Sequence, residues 1–238
     1  MSEPARTGER HFPDGASLVQ ALADDVAAQL KAAIDARGQA LIAVSGGHSP
    51  KPLFTRLAQQ ALPWDRVTVA QVDERWLPVT HAHSNARLIA EHLLQGPAAA
   101  AHFVPMKNDA DTAQAGQPDC EARLRSLSLP FDLVLLGMGD DGHTASLFPH
   151  APELADALRA QGPLCIATEA PAPPQAPYVR MSLTLAGLSA ARRRVLLLQG
   201  RGKLEVLRTA QQAGPVEELP IRALLRQSLP TLEIWSSP

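Results

Sequence analysis

The sequence predicts a three-layer α/β/α fold with a mostly parallel sheet, of the Rossmann-like type. Short apolar segments of strand length alternate with longer amphipathic segments, which is the pattern of successive strand–helix–strand units. Several apolar segments contain no polar residue, as is typical of parallel strands that are buried on both faces. The 238 residues suffice for a substantial core. We therefore expect one domain over residues 1–238, with a small subdomain.

The chain begins with an amphipathic helix and a first strand–loop–helix unit. Ser17–Arg37 has apolar residues at every fourth position, with Ser17 placed as the N-cap and Gly38 just past the end. Ala40–Val44 then predicts a short strand, and Pro50 marks the start of the next helix.

A second unit follows the same plan. Arg66–Val72 is its predicted strand, Asp73–Pro78 a polar loop, and Ser84 the cap of the next helix. Asp109–Leu127 indicates a weaker helix that is broken at Pro118.

The second half of the chain repeats the pattern around a proline-rich break. Four prolines between residues 171 and 177 predict an irregular connection, which we interpret as a flap near the site. A strand that contains Arg180 follows this connection. The remaining predicted elements are three strands and one turn before a helix: Phe131–Leu136, Val195–Leu198, Thr231–Trp235 and Gly200–Lys203.

Composition and charge exclude several classes of protein. Charged residues make up 19% of the chain and the formal net charge is -2, so no basic surface for a nucleic acid is expected. The densest basic run, Arg192–Arg194, is interpreted as a solvated strand entrance. Cys120 and Cys165 lack metal-ligand spacing and fit reduced thiols.

The sequence also gives no sign of export or membrane insertion. The first fifteen residues lack the apolar stretch of a signal peptide, and no segment approaches membrane-spanning length. We therefore expect a cytoplasmic protein without a membrane partner, either a monomer or a small homo-oligomer.

The loop SGGHSP, from Ser45 to Pro50, is the first candidate binding element. Gly46 and Gly47 allow a tight turn that exposes successive N–H groups, Ser45 and Ser49 add hydroxyl groups, and the following helix start favours an anion such as phosphate. The loop lacks the ending of a Walker sequence, so a nucleoside triphosphate is not implied. A plain strand-to-helix turn with capping serines explains this stretch equally well.

A second cluster, DERW, follows the next predicted strand. Asp73 offers a carboxylate for proton transfer, and Arg75 a guanidinium for a phosphate or a developing oxyanion. Such charged loops are more often simply solvated. His81 and His83 have the spacing of a metal site with Asp73, but no further ligand is apparent, so we expect no metal.

The third cluster, GMGDDGH, runs from Gly137 to His143 beyond an apolar strand. It matches the G-x-G-x-x-G pattern of dinucleotide sites, but Pro149 stops any helix early and no suitable acidic residue follows, so we do not expect NAD. The place of His143 beyond a buried strand favours a catalytic role over a structural one. Of Asp140 and Asp141, at most one is expected to face the same cavity as His143.

Two cations complete the set of candidates. Lys203 lies at another strand-to-helix turn, and Arg180 in a predicted strand. Either residue alone would be read as surface charge. Together, the anion-binding loops at several helix starts of one sheet point to a phosphorylated small molecule.

The motifs SGGHSP, VDERWLP followed by SNARL, LLGMGDDGHTASLFP, YVRMSLTL and GRGK occur in this order over nearly the whole chain. In these motifs the sequence resembles the 6-phosphogluconolactonases, which belong with the glucosamine-6-phosphate deaminases in one sugar-phosphate superfamily. The resemblance implies a fold of the deaminase type and hydrolysis of 6-phospho-D-glucono-1,5-lactone in the pentose phosphate pathway, without metal or cofactor.

The resemblance also assigns residues. The family's catalytic histidine falls on His143 and its arginine of the D-E-R motif on Arg75. Its phosphate-binding groups fall on Ser45, Gly46, Gly47, Lys203 and Arg180. The related deaminases have a tyrosine where this chain has Arg75 and a glutamate where it has Phe148, which favours the lactonase.

Lactone hydrolysis requires a positioned water, a base and stabilisation of an oxyanion. His143 is the expected base, with Asp141 or Asp73 orienting it or holding sugar hydroxyls. Two alternatives remain: a sugar-phosphate isomerase or deaminase, and a non-catalytic sugar-phosphate sensor. The sequence has no helix-turn-helix candidate at its N-terminus, which disfavours the sensor.

Overall fold

The computed structural model describes residues 8–171, 178–228 and 230–238, and its strands form two sheets. The ten strands are β1 (Glu9–His11), β2 (Ala40–Val44), β3 (Val67–Gln71), β4 (Asp73–Arg75), β5 (His102–Val104), β6 (Leu133–Leu136), β7 (Cys165–Glu169), β8 (Val179–Leu183), β9 (Arg194–Gln199) and β10 (Leu232–Ser237). The eight helices are α1 (Gly15–Arg37), α2 (Lys51–Leu57), α3 (Asn85–His92), α4 (Ala113–Arg125), α5 (Leu154–Ala157), α6 (Leu185–Ser189), α7 (Arg201–Gln211) and α8 (Ile221–Leu225). These counts refer to the described residues.

The main sheet confirms the predicted fold class. Its seven strands are all parallel and lie in the order β1-β10-β9-β6-β2-β3-β5. A second sheet of three antiparallel strands, in the order β4-β8-β7, lies at one side. Because all main strands run in the same direction, the loops after β2, β3, β6 and β9 meet at one edge.

Two apolar layers cover the main sheet, one on each face. Along β2, Leu41 and Ala43 pack into one layer, whereas Ile42 and Val44 pack into the other. The alternation follows from the two-residue period of a strand. It explains why the predicted strands contain runs of apolar residues without polar interruptions.

Several element boundaries differ from those predicted. Helix α1 begins at Gly15, and its N-cap is Asp14, whose carboxylate accepts a hydrogen bond from the backbone N–H of Ser17. Ser17 is therefore inside the first turn and is not the cap. Pro118 lies inside a continuous α4 and does not break it, so the helix tolerates the loss of one backbone N–H. Gly38 follows the last residue of α1, as predicted, and adopts the left-handed conformation.

The segment from Asp73 was predicted as a loop but forms strand β4. It pairs antiparallel with β8, and Arg75 lies opposite Arg180. Sequence patterns missed this strand because its three residues are all charged, which is atypical of strands. As for the predicted flap, residues 172–177 lie outside the described residues.

Arg193 and Arg194 are not solvated, contrary to the prediction, whereas the side chain of Arg192 is half exposed before the start of β9. Arg194 is fully buried and donates to the side chain of Gln227 and the backbone oxygen of Pro230. Burial lowers the pKa of Arg194 to about 10. Arg193 forms ion pairs with Asp25 and Glu233. The run therefore ties α1, β9 and β10 together.

A buried carboxylate links several elements at the edge of the main sheet that lies opposite the polar loops. Asp132 precedes β6, pairs with Arg37 and with Arg192, and accepts the backbone N–H of Leu41 at 2.9 Å. One side chain thus joins the end of α1 to the starts of β2 and β6.

Removal of the Asp132 carboxylate tests whether this edge of the sheet contributes to stability without affecting the loops at the opposite edge. Asp132→Ala should lower the free energy of unfolding by about 2 kcal/mol, at the low end for a buried pair because both arginines are partly exposed. The turnover of the folded fraction should not change. Asp35→Ala, which removes an exposed i,i+4 pair with Lys31, is the control and should cost under about 0.5 kcal/mol. Equal melting temperatures for the two variants would contradict this interpretation, and denaturant unfolding measures the difference.

Candidate active site

The loops at the carboxyl edge of the main sheet enclose a pocket of about 250 Å³. Eight of the nine sequence-predicted site residues line it: Ser45, Gly46, Gly47, Asp73, Arg75, His143, Arg180 and Lys203. The ninth, Asp141, contacts His143 from outside the lining. Residues from five separate stretches of the chain therefore converge, as the parallel topology requires.

His143 and Asp141 form the shortest polar contact of the pocket. The Nδ1 of His143 lies 2.5 Å from Oδ1 of Asp141, and the same oxygen accepts the backbone N–H of His143 at 3.1 Å. Burial by itself raises the pKa of Asp141, but the hydrogen bond from His143 and its charge outweigh burial, so the pKa is lowered. An ionised carboxylate can only accept, so the proton of this hydrogen bond is carried by Nδ1 of His143. Of the two neighbouring aspartates, Asp141 thus serves His143, while Asp140 lines the pocket separately.

The ring of His143 is held between a glycine and an aromatic ring. A Cβ at Gly139 would lie 2.2 Å from the imidazole, so only glycine fits there. The ring centroid of Phe148 lies 4.7 Å from that of His143, and the guanidinium carbon of Arg180 lies 5.0 Å from the Phe148 centroid. Phe148 therefore supports both the predicted base and one predicted phosphate ligand.

The loop from Gly137 to His143 lacks the helix start that belongs to the dinucleotide-binding fingerprint. The backbone N–H of Gly139 bonds to the oxygen of His143, and that of Gly142 to the oxygen of Gly139, which closes a tight turn. Turns and a single bridge between Thr144 and Leu147 follow, and no helix begins within residues 137–150. The helix start that a pyrophosphate needs is absent from these described residues.

Asp73 lies at the centre of a buried polar cluster. Its Oδ2 accepts the hydroxyl of Ser146 at 2.7 Å and lies 3.8 Å from Nη1 of Arg180. Its Oδ1 lies 3.2 Å from Nδ2 of Asn85. These contacts link Asp73 to Ser146, Asn85 and Arg180 in the wall of the pocket. Among the described residues, no hydrogen bond joins Asp73 to His143.

Two arginines face each other across the small sheet. Arg75 on β4 and Arg180 on β8 are directly opposite, although like charges in this relation repel each other. Burial and the charge of Arg75 lower the pKa of Arg180, while Asp73 opposes the shift. A binding site for an anion accounts for this arrangement, because the anion relieves the repulsion.

Glu74 was not predicted as a site residue, yet it organises the wall of the pocket. Its buried carboxylate accepts five hydrogen bonds, from the side chains of Gln71 and Ser84 and from the backbone N–H groups of Arg75, Asn85 and Ala86. Burial raises the pKa of Glu74, and the bonds from Asn85, Gln71 and Ala86 oppose the rise. The carboxylate therefore joins β3, β4 and the start of α3.

The glycine loop has the features expected of an anion site. The hydroxyl of Ser45 is buried and has no hydrogen-bond partner among the described residues. Gly47 has φ +98°, which other residues rarely adopt. Lys203 lies in the first turn of α7, after Gly200, so its ammonium group adds to the positive end of a helix. These groups line the same pocket as His143.

His81 and His83 pack against Tyr178 at the rim instead of approaching Asp73 as metal ligands. The Nδ1 of His83 lies 3.0 Å from the Tyr178 hydroxyl, and the His81 ring packs edge-on against both neighbours. Within the described part of the chain, no three His, Cys, Asp or Glu side chains are grouped as a metal ion would need. In the same residues, no helix is both long and apolar enough to cross a membrane.

The fold and the pocket define an α/β protein whose small-molecule site lies at the carboxyl ends of parallel strands. A family profile described as glucosamine-6-phosphate isomerases/6-phosphogluconolactonase matches residues 13–232. The chain belongs to this family.

Individual relatives agree with that membership. A 6-phosphogluconolactonase of Rhizobium meliloti is 44% identical over 227 residues, which cover 95% of this chain and 97% of the relative. One from Pseudomonas putida is also 44% identical, over 95% of this chain and 92% of its own. The crystal structure of a 6-phosphogluconolactonase from Shewanella baltica has a TM-score of 0.94 and 39% identity, with both chains covered completely.

Gly139→Ala tests whether activity depends on the position in which Gly139 allows the His143 imidazole to lie. The added methyl group would overlap the imidazole and Asp141, so His143 must move while the backbone keeps its fold. We expect the turnover number to fall about 10²-fold, as for a displacement of roughly 1 Å, with little change in melting temperature.

Gly202→Ala is the control, because a Cβ at Gly202 meets no atom within 4 Å. It should keep its turnover number and gain up to about 1 kcal/mol of stability, because alanine loses less backbone entropy than glycine in the first turn of α7. Steady-state kinetics on both variants decide the question, and equal turnover numbers would contradict this dependence on the position of the imidazole.

Proposed function

We propose that this protein is a 6-phosphogluconolactonase, which hydrolyses 6-phospho-D-glucono-1,5-lactone to 6-phospho-D-gluconate in the oxidative pentose phosphate pathway. One observation carries the proposal: the His143–Asp141 pair opens into the same pocket as the glycine loop and Lys203. A base and an anion-binding end are thereby combined in one small cavity. The relatives that carry this name match nearly the whole chain.

His143 acts as the general base in this mechanism. With its proton on Nδ1 and directed to Asp141, the ring presents Nε2 to a water molecule beside the lactone carbonyl. As the water attacks C1, its proton moves to Nε2, and Asp141 stabilises the imidazolium that forms. This step contributes on the order of 10²–10⁴-fold to the rate.

Collapse of the tetrahedral intermediate completes the reaction. The C1–O5 bond breaks, C1 becomes a carboxylic acid, and O5 takes the proton back from His143 as it becomes a hydroxyl group. The acid then ionises to give 6-phosphogluconate. No cofactor enters this balance, because water is the only second reactant.

Different cationic side chains bind different groups of the substrate. The loop Ser45–Gly46–Gly47 with Lys203 and Arg180 holds the phosphate, which the buried Ser45 hydroxyl and the helix start of α7 favour. Arg75 then remains for the negative charge that develops on the carbonyl oxygen, and removing such a donor costs about 10²–10³-fold in turnover number. The opposed pair Arg75 and Arg180 fits a substrate that is anionic at one end and becomes anionic at the other.

Phe148 separates this mechanism from deamination. By its resemblance to the deaminases, the chain would need a carboxylate at this position, but the buried Phe148 ring packs on His143 instead. An apolar ring cannot exchange protons with an amino sugar, whereas it can hold the imidazole in place. Sugar-phosphate isomerisation is therefore the second candidate only on grounds of family membership. We further propose that the enzyme is cytoplasmic and acts without a nucleic-acid or membrane partner.

His143→Ala tests the base. We expect a loss of about 10²–10⁴-fold in turnover number, with little change in melting temperature, because the ring lines the pocket and belongs to neither apolar layer. Asp141→Asn, which leaves the shape but not the charge, should lose activity in the same direction. The assay follows acid release from fresh 6-phosphogluconolactone, and near wild-type turnover in His143→Ala would refute the assignment.

The substrate is tested by comparing two sugar phosphates. The wild-type protein should hydrolyse fresh 6-phosphogluconolactone well above the spontaneous rate and release no ammonia from glucosamine 6-phosphate. Ammonia release without lactone hydrolysis would identify a deaminase. Saturable binding of the sugar phosphate without turnover of either compound would instead identify a sensor.

A further inference from the structure

The side-chain amide of Asn85 lies between Asp73 and Arg75, the first and last residues of β4. Its Oδ1 accepts a hydrogen bond from Nη1 of Arg75 at 2.6 Å. Its Nδ2 donates to the backbone oxygen of Asp73 at 2.9 Å and lies 3.2 Å from Oδ1 of the same residue. The residue is 2% exposed. Each end of the amide thus meets the group of opposite polarity, which fixes its orientation.

Without this amide, Asp73 and Arg75 are placed to neutralise each other. They are two residues apart on one strand, so their side chains leave the same face. Nevertheless, no carboxylate of the described residues lies within 4.0 Å of the Arg75 guanidinium. Arg180, which is far from Asp73 in the sequence, lies 3.8 Å from the Asp73 carboxylate. Arg75 and Asp73 therefore lie side by side in the pocket without forming an ion pair.

We propose that Asn85 is a positioning residue that keeps Arg75 from pairing with Asp73, so that the guanidinium charge stays directed to the substrate. The inference rests on the proposed function, because it assigns Asn85 a task in lactone hydrolysis. An amide suits the task because it satisfies both charged groups while it carries no charge itself. A direct ion pair would instead lower the positive potential that an oxyanion needs.

The surroundings of Asn85 are built to hold it. Its backbone N–H donates to Glu74 at 2.7 Å, which fixes the first residue of α3. On the other side, a Cβ at Gly46 would lie 1.9 Å from Oδ1 of Asn85. Gly46 is therefore required by the amide, in addition to any part in binding phosphate. The same side chain thus spaces the glycine loop from β4.

A double-mutant cycle tests the proposal. Asn85→Leu has nearly the same shape but no polar group. Among the described residues, the Arg75 guanidinium then keeps the longer bond from Nη1 to the backbone oxygen of His83, at 3.2 Å, and it should turn to Asp73. We expect its turnover number to fall about 10²-fold, with KM changed less than about threefold, since Arg75 acts on the transition state. Arg75→Ala should lose about 10²–10³-fold. The double variant should be no more than about threefold worse than Arg75→Ala, because Asn85 acts through Arg75.

Asn108→Leu is the control for the loss of a hydrogen-bonded asparagine amide, although Asn108 is only partly buried. Asn108 is the chain's other asparagine and bonds to Ala110, Gly116 and Asp119 outside the pocket. It should lose stability comparable to that of Asn85→Leu but keep its turnover number. The proposal would be overturned if the two single-variant losses in turnover number multiply in the double variant. It would also be overturned if Asn85→Leu changes KM alone, or if Asn108→Leu loses as much turnover as Asn85→Leu.

The proposed function and this inference fail in different ways. If the wild-type protein does not hydrolyse the lactone, the function is wrong before any variant is made. If the wild type is active and the cycle is additive, only the role of Asn85 is wrong. Should either Asn85→Leu protein be unfolded by circular dichroism, Asn85→Ala replaces it in both backgrounds. This smaller side chain also removes both polar ends of the amide, and the same limits apply.

Discussion

The buried carboxylate of Glu74 is the constraint on which the pocket depends. A carboxylate without water must accept hydrogen bonds on both oxygens, and an incomplete set would cost several kcal/mol. Its five donors come from the end of β3, from β4 and from the first residues of α3. Satisfying this group fixes where the chain leaves the main sheet and where α3 begins. Arg75, Asp73 and Asn85 take their positions from that geometry.

The opposite wall of the pocket follows a different principle, which is steric. Gly139 leaves just enough space for the imidazole of His143, and Phe148 closes the other side. Asp141 then fixes the rotation of the ring through Nδ1. Hydrogen bonding thus places Arg75, whereas packing and the Asp141 hydrogen bond together place the imidazole of His143. A lactonase needs both, because the activated ester requires little beyond an oriented water and a stabilised oxyanion.

Sequence reasoning could predict the elements that obey a regular period or a terminal signal. The apolar strands of the main sheet and the Ser84 cap are of this kind. It missed β4, because three charged residues give no strand pattern, and it misjudged Arg194, whose partners are polar groups more than thirty residues away. It also placed the cap of α1 three residues late, since Ser17 and Asp14 are both good capping residues.

The predicted site residues converge because they follow parallel strands, which the topology brings to one edge. Asn85 and Glu74 were not predicted as site residues. Their signal lay in the sequence only as the residue after a capping serine and as a charged neighbour of Arg75. Their roles depend on contacts between β4, α3 and the glycine loop, and no local pattern encodes such contacts. The His143–Asp141 pair was found, although the choice among three aspartates required the hydrogen bond itself.

A crystal structure with 6-phosphogluconate bound would test the proposed mechanism most directly. We expect the phosphate to lie against Gly46 and Gly47 with Lys203 and Arg180, and the C1 carboxylate to lie roughly 3–3.5 Å from the imidazole of His143. One carboxylate oxygen should face Arg75. A product bound in the reverse direction, with its phosphate at His143 and its carboxylate on the glycine loop, would contradict it.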